Sequence, residues 1–310
     1  MAYETLLERG ADKTHWLDVR AAARGIGGSE IGPLLGLSPF ATALDIWASK
    51  TMDVHAPETP AMRVGTVLEP GIITLALEHL NELEAGWELD PDAPMLARSE
   101  EHPIALMSPD AVAVHEDGRR CLIEAKATST NMSEAPPTYV AQIRWGVGVL
   151  GCDFGLLAAV NGSRFITHRV APDDWWFKTT AEFAQEWWER HIENDEMPDI
   201  DVVKNEALVA SLFAPEKGTR VEVPSELAVR AKDAYDTYKA SEKAWNASKA
   251  EMALAMGDMG DIATVGNEKV ATYSVSQTTG LDQKRLKAEH PGLWAEYSKT
   301  SQRRTFRWSK

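Results

Sequence analysis

Two short apolar runs, each broken by charge at a defined place, constrain this chain more than any other feature. The first is Met107-Ser108-Pro109-Asp110-Ala111-Val112-Ala113-Val114 and the second is Cys121-Leu122-Ile123-Glu124-Ala125-Lys126-Ala127-Thr128. The first alternates like a strand leaving Pro109, and the second reads as a short apolar strand holding two charges. Paired antiparallel, they bring the carboxylates of Asp110 and Glu124 to the same edge of a sheet. Lys126 must share a face with Glu124, because strand side chains repeat with period two. Paired hard oxygens suit Mg²⁺ or Mn²⁺, and an ammonium beside them can hold a hydroxide or stabilise a phosphorane-like transition state. By itself the triplet is weak, since Pro-Asp also starts turns and Glu-x-Lys in a strand also reads as a solvated face.

Pro109-Asp110 followed by Glu124-Ala125-Lys126 resembles the metal-dependent nuclease pattern PD-(D/E)xK, and other blocks accompany it. His15-Trp16-Leu17 leads to Arg24-Gly25-Ile26-Gly27-Gly28-Ser29-Glu30, then Leu37-Ser38-Pro39-Phe40. Arg63-Val64-Gly65-Thr66-Val67-Leu68-Glu69-Pro70 follows, and Tyr139-Val140-Ala141-Gln142-Ile143 lies after the two strands. In that order and spacing, residues 12–195 resemble the YqaJ-like viral recombinase family, the group that includes phage lambda exonuclease. The Gly-Ile-Gly-Gly-Ser-Glu block, the Gly-x-x-x-Glu-Pro block and the spaced Gln are together far more specific than the triplet.

The resemblance implies an α/β fold: a PD-(D/E)xK nuclease core with a mixed central sheet flanked by helices. It implies a Mg²⁺-dependent (Mn²⁺ as substitute) exonuclease that degrades double-stranded DNA 5′ to 3′ in phage-type recombination, in the cytoplasm of a bacterial host. A homo-oligomer in the form of a ring trimer, with a single-strand annealing protein as partner, is implied as well. By the same resemblance, Asp110, Glu124 and the carbonyl of Ala125 ligate the metal, and Glu69 is a helix-borne acid that helps hold it. Lys126 positions and activates the attacking water, and Gln142 orients the nucleophile or Lys126. Outside that context Glu69 reads as an ordinary helix charge and Gln142 as a surface amide. A 5′-phosphate pocket is expected from Ser29, at the helix N-terminus it caps, with Arg20 or Arg24 as the cation. Ala21-Ala22-Ala23 stretches the family's Trp-to-Gly spacing, which leaves the choice of arginine open.

Composition limits the alternatives. A length of 310 residues favours one core plus an appendage. No run of 18 apolar residues is present, so no membrane span is expected, and the N-terminus lacks a signal-peptide pattern. Cys121 and Cys152 are the only cysteines, which argues against structural zinc and against nuclease relatives with a four-cysteine cluster, and fits a reducing compartment. A net charge of -15 runs against DNA binding, but its distribution is uneven. Residues 281–310 hold eight Lys or Arg against three Asp or Glu, a net of +5, which leaves -20 on the rest. That tail interleaves Arg303, Arg304 and Arg307 with Trp294, Tyr297, Phe306 and Trp308. It reads as a DNA-binding element, as a small module with its own aromatic core, or as a docking site for a protein.

Three segments are expected: a nuclease core at 1–200, a linker at 201–223, and a C-terminal long helix with a small basic β/α module at 224–310. Within the core, helices are expected at 14–24, 28–36, 42–50, 63–85, 137–151 and 174–194. Strands are expected at 94–98, 103–107, 110–115, 120–127, 154–161 and 164–171, with Asn161-Gly162 as a hairpin turn. Val67, Leu68, Ile72, Ile73, Leu75, Leu77 and Leu80 read as one broad apolar stripe on the fourth helix. The aromatics Trp175, Trp176, Phe183, Trp187 and Trp188 are assigned to core packing rather than base stacking. In the appendage, Ala231, Tyr238, Trp245 and Met252 fall seven apart, the spacing of a seam on a helix hairpin or coiled coil. A β-hairpin is expected at 262–277, a short helix from Asp282 and a final strand at 303–308. Two rival functions share these features: an endonuclease with the same site, and a non-catalytic DNA-binding scaffold.

Overall fold

The structure is a computed structural model that describes residues 3–52, 59–130, 132–213, 218–277 and 279–298. The expected final strand, with Arg303, Arg304 and Arg307, lies outside the described residues. Two compact units divide the chain at Phe213 and Ala214. The first runs β1 (Tyr3–Leu7), α1 (Lys13–Ala22), β2 (Ile26–Gly27), α2 (Gly28–Leu34), α3 (Ala43–Thr51) and α4 (Pro60–Leu83). It continues with β3 (Trp87–Leu89), β4 (Leu96–Ser99), β5 (Ala105–Met107), β6 (Ala111–His115) and β7 (Arg120–Ala127). Then come α5 (Pro137–Leu150), β8 (Phe154–Asn161), β9 (Arg164–Val170), α6 (Asp174–Trp188) with a π-helical turn at Glu189–Glu193, and α7 (Glu206–Leu212). The second unit holds α8 (Ser225–Met256), the hairpin β10 (Ile262–Val265) and β11 (Glu268–Thr272), α9 (Gln283–Glu289) and α10 (Pro291–Tyr297).

A mixed five-stranded sheet of order β3-β6-β7-β8-β9 organises the first unit. Only β7 and β8 run parallel within it. A parallel pair needs a crossover, and α5 supplies it. Period-two alternation then sorts β7 by face: Leu122 belongs to the cluster that includes Ile143, Trp145 and Val147 of α5. Cys121, Ile123 and Ala125 belong to the cluster that includes Ile72, Ala76 and Leu80 of α4. Each fully buried Leu, Ile or Phe of these clusters contributes about 1.5–3 kcal/mol relative to exposure. Gly146 lets α5 approach closely, because a Cβ there would stand 2.6 Å from Leu122 Cδ2 and 2.7 Å from Met107 Cε. Asn161-Gly162 turns the β8–β9 hairpin as expected, with Gly162 at φ 61°.

Several departures have local reasons. A second sheet, of order β1-β4-β5-β2, is built partly from strands that the sequence pattern did not reveal. Two-residue β2 is too short to alternate, and β3 has three residues. The segment expected as linker contains α7. The stripe on α4 is only half used: Ile72, Ala76 and Leu80 are buried, whereas Val67 is 79% exposed. The 24 residues of α4 span about 36 Å at 1.5 Å per residue, against about 26 Å for the eight of β7. The first turns of the helix therefore run past the sheet. The aromatics of α6 also divide, with Trp187 and Trp188 buried but Trp175 74% exposed. Among the described residues, no helix is long and apolar enough to cross a membrane.

Candidate active site

Asp110 stands immediately before β6, and the antiparallel register Ala111↔Ile123 sets it beside Glu124 and Ala125 of β7. Its Oδ2 accepts the Ala125 N–H at 2.8 Å. Glu124 is 1% exposed in the middle of an apolar strand. Its Oε1 accepts from Lys126 Nζ and, at 2.6 Å, from Gln142 Nε2 on the crossover helix. Its Oε2 is buried and has no hydrogen-bond partner. Such an atom costs roughly 1–3 kcal/mol or more when charged, so it marks a place where something else belongs. Lys126 shares the Glu124 face, as period two requires, and lies over the Tyr139 ring at 5.5 Å.

Charge at this edge of the sheet is concentrated and poorly solvated. Burial first and the neighbouring Asp110 second, against Lys126, push the Glu124 carboxyl up to about 7. Burial also raises Asp110, against the lowering influence of Lys126 and of the Ala125 N–H. Glu69 is raised by burial and by Asp110, which ties the α4 acid to the same cluster across the end of the sheet. Burial works against the Lys126 ammonium, but Glu124 and Asp110 outweigh it and raise its pKa. Three carboxylates held above their ordinary range, one with an orphaned buried oxygen, offer hard oxygens of the kind a divalent cation takes, although their ligand atoms do not all lie within 4.8 Å of one another. The residues present fit that ion.

Two contributors had no role assigned from the sequence, although Tyr139 stands in one of the blocks noted there. Arg9, in the turn after β1, donates from Nη2 to the carbonyl oxygens of Pro109 at 3.1 Å and Asp110 at 3.2 Å. It opposes, without overcoming, the rise that burial imposes on Asp110 and Glu69. Nothing local marks it, because the contact joins residues a hundred positions apart. Tyr139, by contrast, lies one helical turn before Gln142, and that spacing was available as a signal.

The N-terminal block adjoins this cluster. A Cβ on Gly28 would lie 3.5 Å from Gln142 Cγ and 2.8 Å from Met107 Sδ, so glycine permits the approach. Gly27, not Ser29, is the N-cap of α2, and Ser29 is the helix's second residue. The reason is Glu30, whose Oε2 accepts the Gly27 N–H at 2.7 Å and so takes the capping role. Arg20 and Lys50 each reach Glu30 Oε1 at 3.1 Å. Arg20 Nη2 would lie 3.0 Å from a Cβ on Gly27. Arg24, at a left-handed φ of 47°, instead covers the Trp188 ring at 5.6 Å. Of the two expected arginines, Arg20 is thus the one beside the glycine-rich turn.

Among the described residues, one set of three ligand atoms lies mutually within 4.8 Å: Glu84, His115 and Asp117. It sits at the other end of β6. Arg119 already donates to Glu84 Oε1 and to Asp117 Oδ2, both at 2.7 Å. A guanidinium therefore meets the charge that a metal would otherwise supply.

Protein YqaJ of Bacillus subtilis (strain 168), itself uncharacterized, is 26% identical over 200 residues, 61% of this chain. The chain spans 59% of that relative's length. Among solved structures, the alkaline exonuclease LHK-Exo from Laribacter hongkongensis is similar at TM-score 0.44 and 19% identity, covering 62% of this chain and 97% of that one. The same enzyme in complex with dAMP gives TM-score 0.45 and 18% identity, with the same shares covered. Residues 15–153 match the model of the YqaJ-like viral recombinase domain, and Glu69, Asp110, Glu124, Lys126, Tyr139 and Gln142 all fall within that stretch.

Proposed function

We propose that this protein is a divalent-metal-dependent deoxyribonuclease that degrades double-stranded DNA from its ends, 5′ to 3′. One observation carries the reading: Glu124 Oε2, an orphaned carboxylate oxygen in a dry strand, stands among Asp110, Glu69 and Lys126. Glu69, Asp110, Glu124 and the Ala125 carbonyl would hold Mg²⁺ or Mn²⁺. When bound, the cation supplies Lewis acidity toward a phosphodiester. Lys126, kept charged by its carboxylate neighbours, positions a water for in-line attack and offsets charge on the phosphoryl oxygens. Gln142 keeps Glu124 Oε1 engaged and so fixes the direction of its second oxygen. The products are a 5′-phosphate and a 3′-hydroxyl. The match of residues 15–153 to the YqaJ-like viral recombinase domain supports a nuclease of recombination. The ring trimer, the annealing partner, the bacterial-cytoplasmic location and a DNA contact by Arg303, Arg304 and Arg307 rest on sequence and resemblance.

End-labelled linear duplex and closed circular duplex, each with Mg²⁺ or EDTA, test this. Loss of linear duplex in Mg²⁺ alone is the expected result. Opening of the circle would mean an endonuclease, and inertness toward both substrates would mean a scaffold. Linear duplex with 5′-phosphate ends should be degraded faster than 5′-hydroxyl duplex. Arg20→Ala should erase that preference and Arg24→Ala should not. Equal rates on the two ends in the wild type would remove Arg20, Arg24 and Ser29 from the mechanism.

Arg9 gives a further prediction. Arg9→Met removes the tether on the Pro109 and Asp110 carbonyls and a cation from beside the acids. Turnover should fall about tenfold, in the range for a lost charge-assisted bond. Half-saturation by Mn²⁺ should shift as well. A variant with wild-type turnover and wild-type Mn²⁺ dependence would show that the tether does not matter.

A further inference from the structure

Helix α8 has 32 residues and buries none of them. Its heptad-spaced positions Tyr238, Trp245 and Met252 are 58%, 63% and 41% exposed. Three residues after each seam position stand Ala234, Ser241, Ser248 and Ala255. The stripe therefore alternates large and small, with Leu227 at its start. Such a face is costly in water, and it has a definite shape.

Pairing the helix with itself is a stringent test of that shape. In an antiparallel pair, each large seam position packs against a following position of the other helix. One register satisfies the whole face at once: Tyr238 meets Ser241 of the second copy, Trp245 meets Ala234, Met252 meets Leu227 and Ala231 meets Ser248. Every bulky aromatic then lies over a small residue. The same register sets Arg230 beside Glu251 of the other copy, and by the two-fold it does so at both ends. Among the described residues, neither of these two has an ion-pair partner. Elsewhere on the helix Lys232 pairs with Asp236 and Lys239 with Glu242. A parallel pair would instead bring Arg230 to Tyr235 and Glu242 to Thr237, with no complementary charges.

We propose that α8 is an antiparallel two-fold dimerisation helix whose occupant is a second copy of this chain. Arg230 and Glu251 set its direction and register, and Tyr238 and Trp245 supply its adhesion. The proposed interface uses no residue of the metal site, so it stands or falls independently of the nuclease reading. It also adds to whatever stoichiometry the first unit has on its own.

Light scattering on the full chain across a concentration series provides the test. Trp245→Glu should halve the mass of the assembly, and circular dichroism would verify that the helix remains. Arg230→Glu, which sets like charges together at both ends, should weaken association about tenfold. Arg230→Glu with Glu251→Arg should restore it. A mass unchanged by Trp245→Glu in a folded protein would overturn the proposal. So would a double charge swap no better than the single one, which would point to another segment of the chain or a different protein on this face.

Discussion

Glu124→Gln and Asp110→Asn are each expected to lower Mg²⁺-supported cleavage by about 10³-fold, while DNA binding persists or tightens as repulsion toward phosphate is removed. They should also change stability in a way that a merely structural role would not. The Glu124 carboxyl is pushed up to about 7 in the folded protein from an ordinary 4.5. Between those values the native state binds more proton than the unfolded chain. Metal-free stability therefore falls as pH rises through that window and stays low above it. Mg²⁺ or Mn²⁺ should recover the loss at pH 8 by binding the native state alone. Glu124→Gln removes the titrating group pushed up to about 7, so its melting temperature without metal should fall less than that of the wild type between pH 5 and pH 8. At pH 8 it should exceed that of the wild type, and added metal should no longer raise it much. Thermal melts over that pH range, with and without Mn²⁺, read all of this out. Near-normal turnover in either carboxylate variant would sink the metal-site assignment.

Lys126→Met should abolish cleavage to a similar extent but leave metal binding in place. Its stability signature has the opposite sign. Lys126 is the cation paired with a carboxylate that is 1% exposed. Removing one partner of a buried pair is strongly destabilising, here up to about 3 kcal/mol at pH 8 without metal. The penalty should shrink toward pH 5, where Glu124 takes up a proton and no longer needs the ammonium. Manganese should rescue the fold of Lys126→Met without rescuing turnover. If metal restored both, Lys126 would be a counter-ion only and not part of the chemistry.

Between them these variants separate the two tasks that one strand performs. The same alternation that buries Leu122 under α5 points Glu124 and Lys126 to that side, at the end where the sheet meets solvent. A short stretch of β7 thus joins a carboxyl dry enough to be shifted to an ammonium that is 25% exposed. Gln142 belongs to that arrangement because the parallel β7–β8 connection forces a helix across the strand. Its hydrogen bond to Glu124 follows from topology as much as from the residue type.

What the sequence determined by itself is the chemistry that is local in the chain. Asp110, Glu124 and Lys126 lie on two strands joined by a tight turn with Gly118 at φ 92°, so period two and a hairpin are enough to bring them together. The crossover helix carrying Gln142, the Asn161-Gly162 turn and the long α8 were legible for the same reason. Their signals are hydrophobic period and turn chemistry within a few residues. Tertiary structure decided whatever depends on lengths and on distant partners. It placed Glu69 at the cluster because α4 is longer than the sheet it covers, and it left half of that helix's apolar stripe exposed. It brought Arg9 across a hundred residues to the Asp110 carbonyl. It gave the α2 cap to Gly27 and Glu30, and set Arg20 rather than Arg24 beside the glycine turn. Those outcomes turn on which surfaces meet, and a contact between remote segments leaves no periodicity in either of them.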